Sequence, residues 1–255
     1  MTHDPTPDPN LWRPQISDIG FATGLLTRLP IRVNGDAALA RGAGAAWAYG
    51  VVGMMLGAGF WISVGILTGL GVAPLAAVLT SLALVAVTTG AMHFDGLADV
   101  LDGFWGGWTK SRRLEIMKDS QLGVYGTVGL VLVLALQTTL WAQVHTNLWT
   151  VMALFSFSRA LMLVPMAFVP HARSQGLSHA VGTPTRATAI VGLGIGGGVM
   201  LIVSVPAFAV MVASAISICW IAHRKIGGQT GDVLGATQVL TETAGLLVIA
   251  ASLPH

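Results

Sequence analysis

The sequence predicts an all-α fold: a polytopic transmembrane bundle of about seven helices, with a cytoplasmic N-terminus and a short interfacial helix before the first span. Of the 255 residues, 54% are hydrophobic and only 9% are charged, whereas soluble domains carry about 25% charged residues. This composition argues against a soluble enzyme. A net charge of +2 provides no basic surface for nucleic acid, and the single cysteine, Cys219, excludes a disulfide framework.

Stretches without charge define the predicted spans, because a helix needs roughly 17–25 apolar residues to cross the hydrocarbon core. No Asp, Glu, Lys or Arg occurs over 42–94, 120–158 or 187–223. With the last apolar segment, these stretches predict spans at about 45–67, 75–92, 124–143, 149–169, 187–204, 207–222 and 236–252. The fifth and sixth are short enough to be one broken element, which leaves six to eight spans open.

The basic residues predict the orientation of the bundle. Of the 13 Lys and Arg residues, all except Arg159 fall in the N-terminal segment or in the connections after spans two, four and six. Lys and Arg accumulate in cytoplasmic connections. We therefore expect the N-terminus and these connections to be cytoplasmic and the C-terminus to be outside.

The N-terminal segment divides into a tail and a helix. Residues 1–15 are predicted to be disordered, and 16–255 to form a single transmembrane domain. Apolar residues recur at helical spacing over 16–29, which predicts a short helix lying on the membrane interface. Ser17 or Asp18 is expected to cap its start.

Five of the 11 acidic residues lie in one connection, over residues 93–123. On a helix, Asp95, Asp99 and Asp102 stand at i, i+4 and i+7, within about 60° of one another. Like charges so placed repel, and bound Mg²⁺ or Mn²⁺ would compensate them in a way typical of phosphoryl-transfer sites. A solvated acidic loop is the alternative. His93 falls on the opposite face, which favours a structural role over a base or metal-adjacent one.

A second group of charges follows in the same connection. Arg112, Glu115 and Asp119 share a helical face, a spacing typical of a salt-bridged helix. In the functional interpretation, Arg112, Arg113 and Lys118 hold diphosphate oxygens. Asp119 then joins the metal site or accepts a proton. The spacing fits both interpretations equally well.

A glycine-rich loop precedes the last span. Its candidate phosphate-binding residues are Gly228, Gln229, Thr230, Gly231 and Asp232, because glycines let backbone N–H groups approach a phosphate and a helix start adds its dipole. The alternative is a pair of helix caps, with Gly227 ending span six and Thr230 or Asp232 starting span seven. The two interpretations are compatible.

Two charged residues, Arg159 and Glu242, lie at membrane depth. Such residues usually face the protein interior or a cavity. They either pair with each other or leave Arg159 free to contact a substrate phosphate, and the second arrangement is slightly favoured.

Several motifs together resemble the cobalamin synthase family, also called adenosylcobinamide-GDP ribazoletransferases. They are HFDGLADVLDGFWGG at 93–107, RRLEIMKDSQLGVYG at 112–126, LTRLP at 26–30, Ser158-Arg159, and GGQTGDVLGA at 227–236. They occur in the family's order and at similar spacing. The sequence departs from the family at 47–49, where a Phe-Pro step is expected. That difference concerns helix geometry and leaves the acidic motif intact.

The resemblance implies a Mg²⁺-dependent enzyme of the bacterial cytoplasmic (inner) membrane with its active site on the cytoplasmic side. Members join adenosylcobinamide-GDP to α-ribazole, or to its 5′-phosphate, and release GMP. The product is adenosylcobalamin or its 5′-phosphate, formed when the ribazole 3′-hydroxyl attacks the phosphorus linked to cobinamide. The expected partners are these substrates and membrane lipid, with no nucleic acid. A homo-oligomer is left open.

Two other functions compete with this one. The aspartate-rich motif is similar to that of CDP-alcohol phosphotransferases, but their ordered pattern is absent, so a base role for Asp119 rests on analogy alone. A corrinoid transporter would suit the broken helices and the intramembrane Arg159 and Glu242. Against a transporter, the acidic residues cluster outside the spans.

Overall fold

The computed structural model describes residues 13–145 and 147–253, and this part of the chain contains helices and no strand. Residues 1–12 of the predicted tail lie outside the described residues. The helices are α1 Ser17–Leu26, α2 Gly35–Arg41, α3 Tyr49–Gly69, α4 Pro74–Thr89, α5 Met92–Gly106, α6 Lys110–Ile116, α7 Val124–Val144, α8 Leu148–Ala160, α9 Leu163–Phe168, α10 Leu177–Val181, α11 Arg186–Val203, α12 Val205–Ile226 and α13 Gly231–Ala251. A 3-10 helix, Gly42–Ala48, leads into α3.

The helical membrane bundle predicted from composition is confirmed. Within the described ranges, six helical stretches are long and apolar enough to cross a membrane, or seven if the bent pair α4 and α5 counts as one span. The fifth and sixth spans are two full helices, α11 and α12. Ser204 separates them, and its Oγ accepts the N–H of Ala207 at the start of α12 (3.3 Å). The orientation of the bundle stays a prediction.

The chain turns through 90° between α4 and α5. Gly90 and Ala91 both adopt left-handed backbone conformations, with φ of 63° and 56°. The N–H of Arg28 donates to the Thr88 carbonyl beside this turn (2.6 Å). The acidic motif lies on a helix, as its spacing predicts, but this helix, α5, does not run on in line with α4. α5 turns away from the axis of α4 and packs against α13 and α7.

Ala91 provides a test of this turn. A left-handed conformation costs an L-residue with a Cβ about 1–2 kcal/mol, so we expect Ala91→Gly to raise the free energy of unfolding by about 1 kcal/mol. Thermal unfolding in detergent, followed by tryptophan fluorescence, measures the change. Ala40→Gly, at an exposed helical position, should lower the stability by about 1 kcal/mol. A loss of stability in Ala91→Gly would contradict the assigned turn.

The two most buried spans are α8–α9 and α13, in which 78% and 72% of the most apolar window is buried. Phe60, Trp141 and Phe155 form an aromatic cluster against α8, with ring centroids 5.1–5.6 Å apart. Gly53 lets α3 pack directly on the Phe155 backbone, because a Cβ there would collide with the Phe155 carbonyl. The polar side chains of α8 and α13 are consequently withdrawn from lipid.

The N-terminal helix is shorter than predicted and is held by a buried ion pair. Ile16 and Leu29 are largely exposed, whereas Asp18 is fully buried. Arg41 Nε and Trp47 Nε1 each donate to the Asp18 carboxylate at 2.7 Å. Burial raises the pKa of Asp18, but the hydrogen bonds from Arg41 and Trp47 outweigh it and lower that pKa below its usual value. The expected capping role is wrong, because no side chain caps α1.

Candidate active site

Asp95 and Asp99 line one groove, one helical turn apart on α5. Asp95 is exposed and Asp99 is half-buried. Lys118 and Asp119, from the connection between α6 and α7, line the same groove, whose volume is about 510 Å³. We call it the acidic groove. It brings together four of the predicted site residues from two segments of the chain.

Two glycines allow α5 to approach α13 closely. A Cβ on Gly96 would lie 2.8 Å from the Asp232 carbonyl oxygen, and one on Gly235 would lie 3.1 Å from the His93 backbone. Any larger side chain would push the helices apart. The contact places Asp232, at the start of α13, beside the acidic motif of α5. It also explains why each of the two sequence motifs contains a glycine at this position.

A second cavity, the polar pocket, adjoins the acidic groove and has a volume of about 210 Å³. The two cavities share Asp95. In the polar pocket, Arg173 Nη2 donates to Asp232 Oδ2 (2.7 Å). Gln229 accepts from Ser178 Oγ (2.7 Å). Arg173 was not predicted from the sequence as a site residue. In the sequence, Arg173 served only as one of the basic residues that predict the orientation of the bundle.

The glycine-rich loop forms a pair of helix caps, as one interpretation predicts. Gly227 ends α12 with φ of 73°, and Thr230 Oγ1 accepts the N–H of Val233 at the start of α13 (3.4 Å). Gly228 packs against the backbone of residues 170–172, where a Cβ would collide. The segment from Gln229 to Asp232 lines the polar pocket, and its contact with phosphate stays a prediction.

The carboxylates around Asp99 repel one another. Burial, then the charges of Asp232 and Asp95, raise the pKa of Asp99 to about 7. Among the described residues, no three His, Cys, Asp or Glu side chains converge as a metal site. Mg²⁺, however, is usually bound by one or two carboxylates, with water and phosphate completing its shell. Asp95 and Asp99 on one groove fit that smaller donor set.

Asp102 departs from the predicted stripe of three metal ligands. Its carboxylate accepts the N–H groups of Gly123 (2.8 Å) and Gly126 (2.9 Å) at the start of α7. The residue is only 8% exposed. Because both oxygens are engaged there, Asp102 joins α7 to α5 and does not share the groove with Asp95 and Asp99.

We expect Asp102→Ala to lower the free energy of unfolding by about 2–3 kcal/mol, because two amides lose a charged acceptor. Asp102→Asn keeps one acceptor oxygen, so its free energy of unfolding should fall by less than that of Asp102→Ala. Chemical denaturation in detergent measures both values. An unchanged stability, together with lost Mg²⁺ affinity in the folded protein, would instead return Asp102 to the metal site.

The two arginines expected at the diphosphate are engaged elsewhere. Arg112 forms an exposed ion pair with Glu115 (2.9 Å), as the salt-bridged-helix alternative predicts. Arg113 donates from Nε to the Gly107 carbonyl and from Nη1 to the Lys225 carbonyl, both at 2.9 Å. It thereby ties α6 to the end of α12, and the described groove is lined by other residues.

His93 is 4% exposed and lines an apolar cavity beside the polar pocket. Its position away from the groove matches the opposite face predicted for it. Its Nε2 has no hydrogen-bond partner among the described residues. To act as the base, the His93 side chain would have to reach the acidic groove. In its buried position it does not line that groove.

Arg159 and Glu242 pair with each other inside the bundle, the less favoured of the two alternatives. Arg159 Nη1 lies 3.4 Å from Glu242 Oε2, with side chains 2% and 6% exposed. Ser158 and Gln238 donate to the same carboxylate oxygen, at 3.0 and 2.7 Å. A phosphate contact from Arg159 would require this network to open.

Comparison with known proteins identifies the family. The chain matches the cobalamin-5-phosphate synthase family model over residues 18–250. It belongs to this family. A Bradyrhizobium diazoefficiens protein named adenosylcobinamide-GDP ribazoletransferase is 37% identical over 245 residues, covering 92% of this chain and 94% of the relative. A Brucella ovis protein of the same name is 34% identical over 254 residues, covering 91% and 95%. No solved structure matches the chain.

The cobalamin-5-phosphate synthase match includes every residue of the acidic groove and the polar pocket. The family resemblance of the motifs is confirmed, and the chain is an enzyme of cobalamin synthesis. The resemblance emphasises the acidic motif and the glycine-rich loop. The structure adds Arg173, and it connects both motifs through the contact between α5 and α13.

Proposed function

We propose that the protein is a Mg²⁺-dependent adenosylcobinamide-GDP ribazoletransferase. It joins adenosylcobinamide-GDP to α-ribazole, or to its 5′-phosphate, and releases GMP. The observation that carries the proposal is Asp95, which lines both the acidic groove and the polar pocket. Two substrates held in adjacent cavities can meet at this residue. The names of the relatives supply the substrate class.

The residues of the acidic groove and the polar pocket have different proposed roles in binding the metal and the diphosphate. Asp95 and Asp99 would hold Mg²⁺, which, when bound, offsets negative charge on the donor diphosphate. Lys118 in the groove and Arg173 in the pocket place positive charge on either side of Asp95. Charged donors of this kind hold phosphate oxygens. The N–H groups at the start of α13, near Gly231, add further donors on the pocket side.

The reaction exchanges one phosphate ester bond for another. The 3′-hydroxyl oxygen of ribazole bonds to the phosphorus linked to cobinamide, and the bond from that phosphorus to the GMP oxygen breaks. GMP leaves with the electron pair, and the hydroxyl proton passes to a base. Asp119 is the candidate base, because its exposed carboxylate lies on the groove with Asp95 and Asp99. Positioning of the two substrates supplies most of the acceleration.

We place the protein in the bacterial inner membrane with both cavities on the cytoplasmic side, surrounded by membrane lipid. The basic connections that carry Lys118 and Arg173 support this orientation. In a Cys219→Ser background, Ser174→Cys at an exposed position should react with an impermeant maleimide only in inverted vesicles. Labelling in right-side-out vesicles would contradict the orientation.

Direct assay tests the activity. Purified protein in detergent is incubated with adenosylcobinamide-GDP, α-ribazole and Mg²⁺, and GMP and the corrinoid product are measured by mass spectrometry. Both products should appear, and EDTA should abolish them. Folded protein that forms neither product would refute the substrate assignment, and CMP release from a CDP-alcohol donor would favour the lipid-enzyme alternative.

A further inference from the structure

An apolar cavity extends from the polar pocket toward the N-terminal helix. Its outer chamber has a volume of about 220 Å³. An inner chamber of about 50 Å³ shares Leu25, Tyr49, Leu177 and Val181 with the outer one and reaches His93. Carbon atoms make up most of the lining of both chambers. The groups of the proposed diphosphate site leave this space unused.

The apolar cavity adjoins the polar pocket, which adjoins the acidic groove. Its inner chamber shares Met92, Ser178 and Gly231 with the polar pocket. The polar pocket in turn shares Asp95 with the acidic groove. A ligand with its apolar end in the cavity can therefore extend a polar end toward Asp95.

The lining of the inner chamber includes a buried polar atom without a partner among the described residues. His93 Nε2 is buried and has no hydrogen-bond partner in the described part of the chain. Buried polar groups are almost always hydrogen-bonded in proteins, so one without a partner calls for an explanation. A ligand with a single acceptor atom on an apolar ring would supply the missing partner.

We infer that this cavity binds the base of the acceptor nucleoside, with His93 Nε2–H donating to its free ring nitrogen. The inference rests on the proposed function. The base of α-ribazole is a dimethylbenzimidazole, an apolar bicyclic ring with one free nitrogen and no donor. Guanine is a poor match, because its several polar edge groups would lose their hydrogen bonds against carbon. The corrin ring is far larger than the cavity.

Steady-state kinetics with cavity variants test the inference. Val181→Trp narrows the passage shared by both chambers and should raise KM for α-ribazole at least tenfold, with KM for adenosylcobinamide-GDP changed less than threefold. His93→Phe should also raise KM for α-ribazole. His93→Gln, which keeps a hydrogen-bond donor, should raise it less than His93→Phe does. Ser174→Trp, at an exposed position in the same connection, is the matched control and should leave both KM values unchanged.

A substrate series on the unmodified protein avoids any loss of folding in the variants. Benzimidazole riboside lacks both methyl groups of α-ribazole, and its KM should be about tenfold higher because two apolar groups lose their burial. The inference would be overturned if the two acceptors had equal KM values, or if Val181→Trp and the unmodified protein had equal KM values for α-ribazole. Bilayer lipid would then be the remaining occupant of the cavity.

Direct binding separates this inference from the proposed function. If the unmodified protein releases no GMP, the proposed function fails, and binding of α-ribazole alone is then followed by its benzimidazole fluorescence. Binding that is lost in Val181→Trp supports the cavity as the base site. Absent binding, or equal binding to both proteins, overturns it.

Discussion

Asp99→Asn is expected to lower the rate of GMP release at least about a thousandfold, the equivalent of roughly 4 kcal/mol of transition-state stabilisation. Asn has nearly the same shape as Asp but lacks the charge that holds a divalent cation. Stability should be unchanged or higher, because Asp99 is repelled by the neighbouring carboxylates of Asp232 and Asp95. GMP release is measured by mass spectrometry, and folding by thermal unfolding in the same detergent.

Glu115→Gln is the matched control for this prediction. Glu115 lies in the same connection, is exposed, and pairs with Arg112 outside the groove. Because exposed ion pairs contribute little, we expect activity within about twofold of the unmodified protein. If Asp99→Asn retained more than a tenth of the activity, the metal-binding role of Asp99 would be refuted.

Arg159→Met is expected to lower the free energy of unfolding by about 3–5 kcal/mol, because it leaves Glu242 charged and buried without its partner. The double variant Arg159→Met/Glu242→Leu should recover most of that loss, since apolar pairs often replace buried ion pairs at no cost. Denaturant unfolding of Arg159→Met, Glu242→Leu and the double variant measures the coupling free energy between the two side chains.

Activity of the same double variant decides the alternative use of Arg159. Both side chains lie inside the bundle at 2% and 6% exposure, so a structural pair predicts near-normal KM for adenosylcobinamide-GDP once the double variant folds. A stable double variant with a KM raised tenfold or more would instead assign Arg159 to a substrate phosphate.

Much of the fold could be predicted, because the absence of charge marks a span directly. The exception is the turn at Gly90 and Ala91. The predicted second span ends at 92 and the charge-free stretch continues to Phe94, so neither locates the bend that follows Thr89. Beside the turn, the Arg28 N–H donates to the Thr88 carbonyl across a separation of 60 residues, a contact that the sequence pattern does not reveal.

Site residues could be predicted where they lie on the same face of one helix, because their spacing in the sequence then places them together. Asp95 and Asp99 share the groove because i, i+4 residues lie on one face. Two charges that depart from the prediction, Asp102 and Arg113, and one that the prediction missed, Arg173, have distant partners. Asp102 bonds amides 21 and 24 residues away, Arg113 a carbonyl 112 residues away, and Arg173 a carboxylate 59 residues away. Sequence spacing carries no signal for such contacts.

Binding of Mn²⁺, a paramagnetic substitute for Mg²⁺, tests the metal role of Asp95 and Asp99 most directly. Free Mn²⁺ is followed by electron paramagnetic resonance as it is titrated into the full-length protein with adenosylcobinamide-GDP present. The unmodified protein and Glu115→Gln should bind Mn²⁺ in competition with Mg²⁺, and Asp99→Asn should bind at least tenfold more weakly. Equal Mn²⁺ affinity in all three proteins would contradict a metal site on Asp95 and Asp99.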